Sequence, residues 1–123
     1  MTEKRAHELF NKWVERLKLH EWDIRFHWKV DPKRLAIPES AGCASYNSVC
    51  LQAVIEIGDL DMYEAEMKDF EVDYEQVLVH ELLHLKFALI YDTGERAHEE
   101  AAHRLIDQLA HALVQARREV PQC

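Results

Sequence analysis

The residues best equipped for chemistry form one short run, His80-Glu81-Leu82-Leu83-His84. On a helix, residues four apart lie one above the other with Cβ atoms about 6 Å apart. Two imidazoles so placed can converge on one tetrahedral Zn2+ at bonds of about 2.0–2.1 Å. Glu81 is rotated by about 100° from His80. It therefore faces the open side of such an ion, where a carboxylate can act as general base toward a bound water. The run is embedded in apolar sequence, with Val77-Leu78-Val79 before it and Leu85 and Phe87 after it. Ionisable groups inside an apolar helix are costly unless paired or metal-bound, which favours a site over a chance pattern. His80 and His84 are also the only histidines in the chain spaced four apart.

A catalytic zinc takes a third protein ligand and keeps one position open. The last helical stretch offers His98, Glu99, Glu100 and His103. With its inward stripe centred on Leu105 and Leu109, His98 falls nearly in line, Glu99 on the flank, and Glu100 largely outward. Glu99 is the expected third metal ligand, with His98 and Glu100 as alternatives. A glutamate there that is not a ligand has a plain role as negative charge in a first helical turn. For an oxyanion donor the candidates are Tyr46, Tyr91, His98 and His103.

These groups need elements to hold them. A chain of 123 residues suits a single domain, residues 1–123. Ala6, Leu9, Phe10, Trp13, Val14 and Leu17 have amphipathic-helix spacing, with Thr2 as N-cap. Trp22 to Val30 alternates large apolar with polar residues, as a half-buried strand does. Two further strands, Cys43 to Asn47 and Ser48 to Ile57, are expected to turn near Asn47-Ser48, with Val49, Leu51, Ala53, Ile55 and Ile57 on one face. Residues 59–72 are acidic and irregular, with room for one short helix. Asp73-Tyr74-Glu75-Gln76 has the form of a capping box and opens a helix to about Ile90. A last helix runs from about Glu95 to Arg118, with Ala102, Leu105, Leu109, Ala112, Leu113 and Ala116 inward. The order helix, three-strand antiparallel meander, helix, helix is an α+β domain with helices packed on one face of a small sheet.

A net charge of −8 argues against binding to phosphate backbones or anionic lipid, so neither nucleic acid nor membrane is an expected partner. The longest uninterrupted apolar run, Phe87 to Tyr91, is far too short to span a bilayer, and the opening Met-Thr-Glu-Lys-Arg-Ala-His-Glu carries no apolar h-region. Three cysteines are an odd number and point to free thiols in a reducing compartment. The expected location is cytoplasmic. Cys43 and Cys50 could face each other across the hairpin, and Cys123 could in principle fold back onto the zinc.

Val-His-Glu-Leu-Leu-His-Leu, followed about 15 residues on by a helix rich in glutamate, resembles the gluzincin branch of the zincin metallopeptidases. The closest likeness is to the minimal versions in small bacterial and phage-type proteins. The resemblance implies zinc on His80, His84 and a downstream glutamate, Glu81 as base, and hydrolysis of a peptide or protein substrate. It also implies an edge strand that binds extended peptide by β-addition, for which Cys50 to Ile57 is the best match. One departure stands out. Larger gluzincins carry an Asp four residues after the ligand Glu, whereas here Glu99 is followed by His103 and Glu100 by Arg104. Two rival readings are a catalytically inert metal-binding interaction module and an iron oxygenase with two histidines and one carboxylate.

Overall fold

The computed structural model describes residues 1–38, 40–62, 73–91 and 96–119, with side chains described from 73 to 88 and from 99 to 119 in the last two stretches. Among these residues the order is α1 (Glu3–Arg16), β1 (Asp23–Val30), β2 (Gly42–Asn47), β3 (Gln52–Gly58), α2 (Tyr74–Tyr91) and α3 (Arg96–Glu119). Short 3-10 turns cover Pro32–Arg34 and Leu60–Met62. The rest of the acidic stretch expected to be irregular, residues 63–72, lies outside the described residues, as does Cys123.

The caps follow the sequence. Thr2 accepts a hydrogen bond from the Arg5 amide at 3.2 Å. Asp73 Oδ1 accepts from the amides of Glu75 and Gln76 at 3.0 and 3.2 Å, satisfying orphan donors of α2. α1 ends with Lys18 in the left-handed region, φ 55°. There the Lys18 and Leu19 amides return to the Glu15 and Val14 carbonyls, a Schellman closure that turns Leu19 into the core.

The fold is α+β, but the sheet is mixed. Its order is β1-β3-β2, with β1 parallel to β3 and β2 antiparallel to β3. The antiparallel meander expected from chain order is therefore corrected, because β3 inserts between its predecessors. The eleven residues between β1 and β2, 31–41, impose no hairpin, whereas the short turn after Asn47 does. In that turn Asn47 Oδ1 accepts from Val49 and Cys50 at 2.9 and 3.1 Å. Cys50 to Ile57 is consequently not an edge. The edge strand beside α2 is β2. Ala53, Ile55 and Ile57 face the core as expected, while Val49 is 91% exposed at the turn. Cys43 and Cys50 are free thiols: Cys43 pairs in register with Glu56, so the two do not face each other.

α2 is apolar nearly all round, the mark of a helix buried on several sides. Leu78, Val79, Leu82, Leu83 and Leu85 join Leu9, Trp13, Ile55, Ile57, Ile106, Ala110 and Val114 in one core. The inner face of α3 is Ala102, Ile106, Ala110 and Val114, all buried. This corrects the expected stripe, since Leu105 and Leu109 are 44% and 40% exposed. One carboxylate ties the three helices together. Glu75, 1% exposed, accepts from Trp13 Nε1 at 2.8 Å and Arg117 Nε at 2.6 Å, and from Arg118 at 3.3 Å. No helix among the described residues is long and apolar enough to cross a membrane.

Candidate metal centre

α2 presents His80 and His84 on one side, half-buried, with their Nε2 atoms 3.1 Å apart. α3 brings a third imidazole to them. The His103 ring centre lies 4.7 Å from that of His80 and 5.5 Å from that of His84. One ring nitrogen from each of the three falls within 4.8 Å of the others, a group that could hold a metal ion. The reason is rotational. With Ala102 and Ile106 packed inward, His103 sits on the adjoining flank of α3 and faces α2.

Asp107, one turn further along α3, fixes the arrangement. Its Oδ1 lies 2.6 Å from His80 Nδ1. Accepting the Nδ1 proton leaves the Nε2 lone pair directed at the other rings, the tautomer a ligand needs. Burial pushes the His80 pKa below its ordinary value, partly offset by the Asp107 charge. Burial, then the neighbouring His80 and His103, take His84 down to about 4. Both shifts favour the neutral ring, the form that can donate a lone pair.

Glu81 is 7% exposed, with Oε1 3.9 Å from His80 Nε2. Burial foremost, and then the charge of Asp107, push its pKa up to about 8. A cation among the imidazoles would favour the ionised form. β2 runs against this residue so closely that only glycine fits. A Cβ on Gly42 would lie 3.2 Å from Glu81 Cγ, 3.0 Å from Val77 Cγ1 and 2.9 Å from the Glu56 carbonyl oxygen.

Two clefts meet at the imidazoles. One, about 280 Å3, is lined by Ser40, Gly42, His80, Glu81, His103 and Asp107, among others. The other, about 250 Å3, is lined by Tyr46, His84, Phe87, Glu99, His103 and Ile106, among others. β2 borders both, Gly42 at one and Tyr46 at the other. Compared with models of known protein families, with curated proteins and with solved structures, the chain matches none.

The structure thus brings His80, Glu81 and His84 together as the motif required. Glu99 is exposed, one turn before His103, and lines the second cleft without joining the converging group. Glu100 is also exposed and lines an outer concavity with Glu99, His103 and Arg104. The side chains of His98 and Tyr91 lie outside the described residues. Sequence reasoning offered His103 on this helix but preferred Glu99, and it missed Asp107 as the companion of the group. The available signal was the pair itself: the Asp sought four residues after a ligand follows His103, not Glu99.

Proposed function

We propose that the chain is a zinc-dependent metallopeptidase, a hydrolase of the zincin type, in which His80, His84 and His103 hold the ion and Glu81 is the general base. The observation that carries this reading is the convergence of three imidazoles beside a buried glutamate at the junction of two open clefts. Donor atoms of a tetrahedral ion with bonds of about 2.0–2.1 Å lie about 3.3 Å apart, close to the 3.1 Å between His80 and His84 Nε2. Three imidazoles and a vacant side make a zinc donor set suited to catalysis. The reading keeps the HExxH element of the gluzincin resemblance and departs from it at the third ligand, where His103 replaces the expected Glu99.

When bound, zinc supplies Lewis acidity and a coordinated water of pKa about 7. The protein's own groups do the rest. Asp107 holds the His80 ring in its tautomer. Glu81 accepts the proton of the attacking water and returns it to the leaving amine nitrogen. Tyr46, which lines the second cleft, would offer its hydroxyl to the carbonyl oxygen that gains charge. The outer edge of β2, which pairs on its other side with β3, borders both clefts and suits an extended peptide adding as a further strand.

Incubating the zinc-loaded chain with casein tests the reading. The parent is expected to cleave, and Glu81→Ala to keep one zinc per chain while losing activity by about 10^2–10^4-fold. A parent that binds zinc yet cleaves neither casein nor unstructured peptides contradicts peptidase function and supports an inert metal-binding module.

A further inference from the structure

α3 carries two apolar stripes, and the described chain covers only one. The buried stripe, Ala102, Ile106, Ala110 and Val114, packs on α2. About 110° around the helix lies a second, made of Leu105, Leu109, Ala112 and Ala116. Leu105 and Leu109 are 44% and 40% exposed, and both alanines are exposed. One exposed leucine calls for no explanation. Spacings of four, three and four residues along a 24-residue helix are those of a coiled-coil seam.

We infer that this seam pairs with the same seam of a second copy of the chain, the two α3 helices antiparallel about a two-fold axis. The sequence of the stripe is self-complementary only in that orientation. Its leucines occupy the N-terminal half and its alanines the C-terminal half. Antiparallel pairing sets Leu105 against the second copy's Ala116 and Leu109 against its Ala112, so large fills small. Parallel pairing stacks Leu on Leu and leaves Ala facing Ala.

Charge agrees. Exposed Arg104 and Glu119 lie on one flank of the seam, with Gln108 and Gln115 between them. Antiparallel pairing brings Arg104 to the second copy's Glu119, and Gln108 to its Gln115, each contact made twice. Parallel pairing instead turns that flank toward the opposite flank of the second copy, so Arg104 and Glu119 do not meet. His103 and Asp107 lie on the far side of the helix, so the metal group stays open in the pair. Three turns of one helix bury less than the roughly 1,000 Å2 of a stable interface, so the association is weak and reversible.

Sedimentation velocity of the full chain over a concentration series tests this. The apparent mass is expected to rise from 14.5 kDa toward twice that value. Leu105→Lys/Leu109→Lys is expected to stay at the single-chain mass throughout, with the helical circular dichroism of the parent. Arg104→Glu and Glu119→Arg are each expected to raise the midpoint concentration about fivefold, the scale of two exposed ion pairs, and the double swap to restore it. A parent that is a single chain at every concentration overturns the inference. So does a dimer that survives the lysines, or a double swap that restores nothing.

Discussion

Asp107 and His80 are joined across the α2–α3 interface by a 2.6 Å contact between Oδ1 and Nδ1. This contact couples the helix that carries the motif to the helix that brings the third imidazole. It aims His80 Nε2 at its neighbours, so on the proposed function its loss would weaken the hold on the ion. Asp107→Ala is expected to weaken zinc binding by about 10–100-fold, measured by competition with a chromophoric chelator, with little change in melting temperature of the metal-free chain.

The same assay separates the two candidates for the third ligand. His103→Ala removes a donor from the converging group and is expected to cost more than the roughly 100-fold ceiling of an outer partner. Glu99→Gln is expected to leave zinc affinity within about threefold of the parent, because Glu99 lines a cleft without entering that group.

Gly42 sets the distance between the edge strand and Glu81. The nearest atom to its absent Cβ is a backbone oxygen at 2.9 Å, which can give way only if the strand shifts. Gly42→Ala is expected to destabilise the fold by about 1–3 kcal/mol. On the proposed function, casein cleavage at saturating zinc is expected to fall while zinc affinity changes little. Calorimetry and casein cleavage read the two effects.

Glu75 links pH to stability. Burial raises its carboxyl pKa, but hydrogen bonds from Arg117 and Trp13 and the arginine charges outweigh this and hold it below 4.5. Asp73 likewise lies below 3.8, with Arg118 and the α2 amides overcoming burial. A depressed carboxyl pKa stabilises the fold above the unfolded-state value, and that stability is lost as pH falls through the folded-state value. The melting temperature is therefore expected to fall steeply below about pH 4.5. Glu75→Ala leaves Arg117 and Trp13 Nε1 without their acceptor. It is expected to cost about 3–5 kcal/mol at pH 7 and to flatten the acid limb of the profile.

Local patterns were the legible part of the chain. Thr2 and Asp73 cap where their side chains can reach free amides, and the alternation in β1 reappears as a strictly alternating burial pattern. The helical spacing of His80 and His84 was enough to bring their nitrogens together. What sequence order could not convey was which strand lies next to which: β3 entered between β1 and β2 because nothing in the first connection holds those two together. The rotation of α3 was illegible for a different reason. Leu105 and Leu109 are its most apolar residues, so periodicity alone turns them inward. The space beside α2 instead takes the smaller Ala102 and Ala110. That rotation turns His103, rather than Glu99, toward His80 and His84.

X-ray absorption at the zinc edge of the zinc-loaded chain tests the central claim most directly. One zinc per chain is expected, with three imidazole nitrogens and one light donor from solvent, and one imidazole fewer in His103→Ala. A parent that fails to retain zinc, or a shell with only two imidazoles that His103→Ala leaves unchanged, would contradict it.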